Sequence, residues 1–395
     1  MGSSDGFSLR ALALSAYGPT LLFALGEGAI YPVLPLVARH QGASLAIAAF
    51  VITLIGLGTL VTNIPASVIT ERVGERWALV GVGILAAVAI AICMLPSLTA
   101  LMIGAALLGV ASSVFLLARQ KYLTEAVPIS HRARALSTLG GMMRVGMFAG
   151  PFVGAALIGH WGLRAPFALA VIACLAAAVL AITVPDLEPA PAVQAAGRVR
   201  ARDVLREHRR SFVRAGVGVV MLMAVRASRQ AVIPLWAVHL GLGAREASIV
   251  YGIAGAVDML MFYPAGSVMD RLGRRFVSIP MLLMLAAGFI ELTFTSTLDG
   301  FIVAACWIGM ANGVGSGIVM TLGADYSPAV GRAVFLGIWR LLADVGTTGG
   351  PLLLSVLTGL FGLPVALYAL AGVGVAGAGV FAATLDERRG EETGQ

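Results

Sequence analysis

Ionisable side chains lie deep inside long apolar stretches of this sequence, where charge is costly. The acids are Glu27, Asp258 and Asp344, and the bases are Arg144, Arg226 and Arg229. Desolvation favours the neutral form of a carboxyl group, whereas a nearby guanidinium favours its charged form. A carboxyl group that moves between these surroundings takes up and releases a proton. We therefore predict proton coupling, with Glu27 as the first candidate for the carrier.

Asp344 with Arg144 forms a second candidate proton relay, and Asp258 is a further candidate. The alternative for Glu27 is a permanent salt bridge that fixes two membrane helices, and a structural ion pair is also the alternative for Asp344 and Arg144. Intramembrane charges usually face the interior of the helix bundle and have a partner. The proton-relay and the ion-pair interpretations therefore both assume that buried acids lie near buried bases.

A substrate site is predicted around two arginines. Arg226 and Arg229 are three residues apart and share a helical face. Guanidinium groups bind carboxylate or phosphate in a bidentate manner, so an anion site is one interpretation. Asp258 either pairs with one of these arginines or receives a cationic substrate. With the aromatic residues Tyr31 and Trp236, these side chains are the predicted substrate-binding set.

The elements that must position these residues are membrane helices. Hydrophobic residues make up 59% of the 395 residues, charged residues only 12%, and the mean hydropathy is +0.93. Soluble domains carry roughly 25% charged residues, and a span needs about 20 mostly apolar ones. Spans are predicted at 11–38, 44–70, 77–95, 98–122, 134–159, 165–184, 212–238, 246–269, 276–297, 300–324, 332–359 and 364–384.

The distribution of arginine predicts the orientation. Among the loops opposite the termini, Lys and Arg occur only as Arg39, Arg164 and Arg245. Excess Lys and Arg marks the cytoplasmic side, so a multi-pass protein of the plasma (cytoplasmic) membrane with both termini cytoplasmic is predicted. The linker 185–211 begins with a Pro/Ala-rich stretch and continues as RVRARDVLREHRR. We interpret this basic part as a surface helix that meets anionic lipid headgroups, with a regulatory partner site as the alternative.

Several function classes are disfavoured. The net charge of +7 comes from arginines between apolar runs and not from a basic soluble domain, so nucleic acid is not an expected partner. A Walker loop, a metal-ligand cluster and a nucleophile elbow are all missing from the sequence, which argues against an enzyme, a metal or another cofactor. Cys93, Cys174 and Cys306 each fall in an apolar run and are interpreted as buried small hydrophobes.

An internal repeat relates the two halves of the chain. ERVGERW at 71–77 matches DRLGRRF at 270–276, and Gly150-Pro151 matches Gly350-Pro351. The offset of 199 or 200 residues aligns Glu27 with Arg226, and Arg144 with Asp344, so opposite charges occupy equivalent places. Parallel six-helix repeats predict a site near the midplane and alternating access. The predicted domains are 1–184, the linker 185–211, and 212–395.

These motifs resemble the major facilitator superfamily over nearly the whole chain. GSVMDRLGRR at 266–275 is similar to that family's signature loop, which implies a conformational role for Gly266, Asp270, Arg271, Gly273, Arg274 and Arg275. The first-half copy, SVITERVGER at 67–76, is degenerate, because Ser67 replaces the Gly, Glu71 the Asp and Glu75 a basic residue; Glu71 and Arg72 are its candidate conformational residues. An arginine that the family carries midway along the fourth helix is missing, and Arg119 is expected to reach the membrane surface from the helix end.

GMFAGPFVGA at 146–155 is similar to the antiporter motif of drug–proton exchangers, and PVLP at 32–35 resembles a segment common in drug exporters. The resemblance implies a conformational role for Gly146, Gly150, Pro151 and Gly154. The alternative is plain helix packing, because glycines at every fourth position make a smooth helix face.

The predicted fold is an all-α membrane protein of twelve transmembrane helices in two pseudo-symmetric six-helix bundles. The predicted function is proton-coupled efflux of lipophilic small molecules by a monomer whose partners are substrate, protons and the lipid bilayer. The main alternative is an organic-anion or organophosphate transporter that uses Arg226 and Arg229. A non-transporting membrane receptor is a third hypothesis, and the lack of a sizeable soluble domain weakens it.

Overall fold

The computed structural model describes residues 17–184, 201–328 and 330–385, and the regular structure in these ranges is helical. Residues 11–16 of the first predicted span and 185–200 of the predicted linker lie outside the described residues. The helices before the linker are α1 (Gly18–Ile30), α2 (Leu34–His40), α3 (Leu45–Val73), α4 (Glu75–Cys93), α5 (Leu98–Ala126), α6 (Ile129–Trp161) and α7 (Ala165–Ile182). Those after it are α8 (Ala201–Glu207), α9 (Arg209–Ser211), α10 (Val217–His239), α11 (Ala244–Leu272), α12 (Arg274–Leu292), α13 (Leu298–Val314), α14 (Ile318–Tyr326), α15 (Arg332–Phe361) and α16 (Leu363–Thr384).

Eleven helical stretches among the described residues are long and apolar enough to cross a membrane. They correspond to all of the predicted spans except the eighth, 246–269. Helices α1 and α2 together form one of these stretches, and α13 and α14 form another. The eighth span is α11, which has 29 residues but carries Asp258 at its centre. A helix with an intramembrane carboxylate spans the bilayer when that group faces protein. The predicted fold, twelve helices in two bundles, is confirmed.

The chain divides into two compact units. Unit 1 comprises Met1–Val33 and Leu57–Gln194, and unit 2 comprises Leu34–Gly56 and Ala195–Gln395. The segment Leu34–Gly56, which holds α2 and the start of α3, thus belongs to unit 2 although it lies in the first sequence repeat. Within unit 2, the Ser355 hydroxyl of α15 donates a hydrogen bond of 2.8 Å to the Ala46 carbonyl oxygen of α3. The domain boundaries at 184 and 212 follow the repeat and remain a prediction.

Glycines in a left-handed conformation end helices at matched places in the two repeats. Gly74, between α3 and α4, has a φ of +83°, and Gly273, between α11 and α12, has a φ of +89°. Gly162 and Gly362, which follow α6 and α15, have φ values of +79° and +89°. With ψ values near 160–180°, this region is essentially open only to glycine. The two repeats therefore share backbone geometry at these positions as well as identical residues.

Three glycines of α6 form the face on which α1 packs. A Cβ atom added at Gly146, Gly150 or Gly154 would lie 2.7, 2.5 or 3.1 Å from a carbonyl oxygen of α1. Gly28 of α1 completes the contact, because its added Cβ would lie 2.9 Å from the Met147 carbonyl oxygen. The antiporter-like segment thus holds α1 at a distance that only glycine permits. Pro151 lies buried within α6 beside this face.

We predict that Gly150→Ala destabilises unit 1, because the new methyl group must push α1 away from α6. Overpacking of this kind costs about 1–3 kcal/mol. Gly140→Ala, on the same helix, is the matched control, since its Cβ would meet no atom within 4 Å and alanine favours helix. Thermal unfolding of both variants in detergent measures the difference. Equal melting temperatures for the two variants would disprove the close packing.

Candidate functional site

Glu27 of α1 lies in unit 1 with only 4% of its surface exposed. Its Oε1 accepts a hydrogen bond of 2.5 Å from the hydroxyl of Ser112, which lies on α5. The same hydroxyl lies 2.9 Å from the Leu108 carbonyl oxygen. A hydroxyl group both donates and accepts hydrogen bonds. Ser112 is therefore able to donate to a carboxylate at position 27, or to accept from a carboxylic acid while it donates to Leu108.

Arg119 is buried in unit 1, which corrects the expectation that it reaches the membrane surface. It is 1% exposed, its Nε donates a 2.9 Å hydrogen bond to the Thr20 hydroxyl, and its guanidinium carbon lies 5.9 Å from the centre of the Phe115 ring. A hydroxyl acceptor and an aromatic face keep the cation inside, so it does not extend to the lipid headgroups.

The contacts between α1 and α5 repeat at regular intervals along both helices. Thr20 meets Arg119 at one level, the stacked rings of Phe23 and Phe115 follow with centroids 4.1 Å apart, and Glu27 meets Ser112 beyond them. Seven residues, or two helical turns, separate the first and last levels on each helix, a distance of about 10 Å. Ser112 and Thr20 were not predicted from the sequence, because their partners become apparent only when α1 packs on α5.

A hydrogen-bonded network in unit 2 joins the predicted substrate residues. Arg229 Nη2 lies 3.0 Å from Asp258 Oδ2, and the same oxygen accepts a 2.9 Å hydrogen bond from Asn312 Nδ2. Arg226 Nε donates to Asn312 Oδ1 at 2.9 Å, and its Nη1 donates to the Gly315 carbonyl oxygen at 3.3 Å. The structure therefore brings Arg226, Arg229 and Asp258 together across α10 and α11. Asn312 of α13, which the sequence did not indicate, is the bridging residue.

The tenth span is interrupted beside this network. Residues 315–317 separate α13 from α14, and Gly317 has a left-handed φ of +86°. A Cβ at Gly313 would lie 2.5 Å from the Asp258 carbonyl oxygen, so glycine lets α13 approach α11 at this level. The equivalent span of the first repeat, α5, is continuous. Interrupted helices present backbone groups to ligands inside membranes, and here the Gly315 carbonyl oxygen faces a guanidinium.

The remaining predicted residues lie elsewhere in their units. Trp236 is 2% exposed, its indole N–H donates to the Thr295 hydroxyl at 2.8 Å, and it lies two turns beyond Arg229 on α10. Tyr31, 8% exposed, begins the turn after α1. Arg144 on α6 and Asp344 on α15 are each partly exposed in their own unit. The structure thus does not bring Trp236 into the network.

Two ion pairs of opposite polarity connect equivalent helix ends. In unit 2, Arg274 at the start of α12 contacts Asp325 near the end of α14, with Nε 2.8 Å from Oδ2. In unit 1, Glu75 at the start of α4 contacts Lys121 of α5, with Oε1 2.6 Å from Nζ. The repeat aligns Glu75 with Arg274. The repeat places Glu125, and not Lys121, opposite Asp325, so Glu75 pairs with a lysine one turn before that position.

The other residues of the signature-like loops take several positions. Arg271 is exposed and Arg275 partly exposed, while the side chain of Asp270 lies outside the described residues. A Cβ at Gly266 would meet no atom within 4 Å, so close packing is not what this glycine provides. In unit 1, Arg72 is exposed, and a cavity of about 320 Å³ is lined by Glu71, Leu117, Gln120, Lys121, Thr124 and Glu125.

The sequence and the fold are similar to known proteins. A family model described as Major Facilitator Superfamily matches residues 20–334 and, separately, residues 215–395. A nucleoside transporter superposes with a TM-score of 0.76 at 13% identity, covering 95% of this chain and 100% of that one. A D-xylose–proton symporter gives 0.73 at 16% identity, covering 97% and 99%, and a POT family transporter in complex with 5-aminolevulinic acid gives 0.75 at 13%, covering 96% and 97%. No curated protein matches the sequence.

We predict that the pair Glu75 and Lys121 stabilises unit 1 through its opposite charges and not through either residue alone. Glu75→Gln and Lys121→Gln each lower stability, and the double variant Glu75→Gln/Lys121→Gln loses less than the sum of the two single changes. Exposed pairs contribute about 0.2–1 kcal/mol. A double-mutant cycle on thermal unfolding, at low and high salt, measures the coupling. Additive effects would contradict the prediction.

Proposed function

The chain belongs to the Major Facilitator Superfamily, and on that premise we propose that it exports lipophilic small molecules in exchange for protons. It is a multi-pass membrane transporter of small molecules and not an enzyme. We further propose that it is a monomer of the plasma membrane with both termini in the cytoplasm, as the distribution of arginine indicates.

The contact between Glu27 and Ser112 is the observation that carries proton coupling. A buried carboxyl group needs a partner that tolerates both of its protonation states. Ser112 meets this requirement, because its hydroxyl lies within hydrogen-bond distance of both Glu27 and the Leu108 carbonyl oxygen. A salt bridge stabilises only the charged carboxylate, whereas a hydroxyl accommodates the acid and its conjugate base. Proton uptake at Glu27 then leaves no donor without an acceptor.

The buried position of Arg119 supports this role for Glu27. The guanidinium lies about two helical turns from Glu27 along the α1–α5 contact and supplies positive charge to the same apolar interface. Proton loss from Glu27 creates a carboxylate whose charge Arg119 partly offsets across that distance. Glycine packing of α6 holds α1 in register, so α1 presents both Thr20 and Glu27 to α5.

The direction of transport rests on the similarity of residues 146–155 to the antiporter motif. The structural neighbours include a protein described as a proton symporter and others described by a nucleoside or a POT family ligand. At 13–16% identity they share the fold and leave the direction open. Export is therefore proposed from this motif.

A second candidate function is the transport of organic anions or organophosphates. The network in unit 2 favours it, because it contains two guanidinium groups and one carboxylate: Arg229 contacts Asp258, and Arg226 contacts Asn312 and a carbonyl oxygen at an interrupted helix. Two cations with one anion carry a net positive charge when Asp258 is ionised. Such a site suits a carboxylate or phosphate group better than a cationic drug.

Purified protein in proteoliposomes with an imposed pH gradient separates the two candidates. The export proposal expects lipophilic dyes and drug cations to move against the direction of the proton flux. The second candidate expects exchange of a labelled phosphate ester or dicarboxylate and no gradient-driven dye movement. The export proposal would be overturned if dye accumulation did not depend on the pH gradient while the phosphate ester was exchanged.

We predict that Glu27→Gln abolishes gradient-driven transport while ligand binding changes less than about threefold, because glutamine keeps the shape and loses the titration. Asp299→Asn, an exposed acid at the start of α13, is the matched control and retains transport. Ligand-induced stabilisation in detergent monitors binding. Normal proton-driven transport by Glu27→Gln would exclude this residue as the carrier.

A further inference from the structure

The basic segment that precedes α10 is fixed to unit 2 by a stack of aromatic rings. His208, which follows α8, makes an edge contact with Phe335 of α15 at 5.7 Å between ring centroids, and Phe212 stacks on the same ring at 4.6 Å. Phe335 stacks in turn on Trp339, and Trp339 on Tyr326 of α14, at 5.9 and 6.0 Å. The segment is therefore packed against the helical core of unit 2.

The docking orients the short helix α8. Val204 is 3% exposed and faces the unit. Arg202 and Arg206 lie two residues to either side of it and are one turn apart, so both point about 160° away from the buried face. Both arginines are exposed. Asp203 and Glu207, also exposed, lie on one flank, and Leu205 lies on the other.

The exposed surface of this segment combines positive charge with apolar side chains. The exposed arginines of residues 201–216 are Arg202, Arg206, Arg209, Arg210 and Arg214. Leu205, Val213 and Val217 are 48%, 66% and 41% exposed next to them. The membrane-spanning stretch that follows begins at Arg209. Arginines and apolar side chains thus share the surface that adjoins the start of a span.

We infer that residues 202–214 form a binding surface for the phosphate groups of anionic phospholipids. Basic residues next to a membrane span attract anionic headgroups. Guanidinium groups suit phosphate oxygens because they donate in pairs. The exposed Leu205 and Val213 suit the apolar boundary between headgroups and acyl chains, which a soluble acidic protein lacks. The lipid surface is therefore the partner that matches both the charge and the apolar side chains.

The aromatic stack connects the basic segment to α15, one of the long helices of unit 2. Phe335 and Trp339 lie on α15, which also carries Asp344. A headgroup bound by the arginines therefore contacts a segment whose position is tied to that helix, and does not contact a flexible tail.

The test measures binding of fluorescently labelled phosphatidylglycerol to the full-length protein in neutral-detergent micelles, with labelled phosphatidylcholine as the neutral lipid. The variant Arg202→Gln/Arg206→Gln/Arg209→Gln/Arg210→Gln is expected to bind phosphatidylglycerol at least tenfold more weakly. Phosphatidylcholine binding is expected to remain unchanged. The matched control, Arg72→Gln/Arg76→Gln/Arg132→Gln/Arg134→Gln, removes the same number of arginines from unit 1 and is expected to weaken binding less than twofold.

Equal loss of phosphatidylglycerol binding in both variants would overturn the proposal, because it would reflect overall charge and not a defined surface. Undiminished binding by the variant of Arg202, Arg206, Arg209 and Arg210 would overturn it as well. Stronger binding of a polyglutamate peptide than of phosphatidylglycerol would assign the surface to an acidic protein instead. Competition by millimolar inorganic phosphate alone would assign the arginines to free phosphate and not to lipid. Melting temperatures within about 2 °C of the unmodified protein establish that both variants are folded.

Discussion

A charged side chain at the centre of a bilayer costs about 2.5–3.5 kcal/mol on insertion scales, and this constraint governs how the polar residues of the chain are placed. In unit 2 the cost is met by linking charges. Asp258 at the centre of α11 receives hydrogen bonds from Arg229 of α10 and Asn312 of α13, and Asn312 in turn binds Arg226. Each bond joins two different helices. The polar network therefore fixes the relative positions of three spans while it removes the charges from lipid.

The close approach that this network needs comes from glycine. Asn312 reaches Asp258 because Gly313 allows α13 to lie against the backbone of α11. The interruption at 315–317 then turns a carbonyl oxygen toward Arg226. Small residues, an interrupted helix and a charge network are thus parts of one arrangement. A larger residue at Gly313 would push α13 away from α11 and separate the Asn312 amide from the Asp258 carboxylate. An unpaired charge in an apolar interior costs far more than the hydrogen bond itself.

Unit 1 meets the same constraint with neutral partners. Glu27 contacts the hydroxyl of Ser112, and Arg119 contacts the hydroxyl of Thr20 and the ring of Phe115. A hydroxyl stabilises a charge less strongly than an opposite charge does, but it accommodates a change of protonation. The two repeats share the backbone geometry at Gly74 and Gly273 and differ in this chemistry. Unit 1 thus surrounds its buried charges with hydroxyl and aromatic groups, and unit 2 links its charges to one another through Asn312.

The sequence predicted the features that depend on local patterns and missed those that depend on side-chain reach. Span positions followed from apolar length, and the matched glycines from the repeat, because both are properties of consecutive residues. Asn312 and Ser112 gave no such signal, since a polar residue in a span reveals its partner only when the helices are packed. Arg119 was placed at the membrane surface because it lies toward the helix end. It is buried because Thr20, on a helix nearly a hundred residues earlier, lies beside it.

Each unit also has an ion pair at a helix end, and the signs of the two pairs differ. Arg274 pairs with Asp325 and Glu75 with Lys121, so the aligned residue after the loop changes sign between the repeats and takes a partner of the opposite sign at a different position. Attraction between two charges is unchanged when both signs are reversed, so the internal geometry of each unit requires complementarity and not a particular polarity. The external field does depend on sign, because Glu75 stands in the first-half loop where Arg274 stands in the second, while the other charged positions of the two loops keep their signs. The exchange therefore preserves the fold of each half while it makes the two loop surfaces electrostatically different.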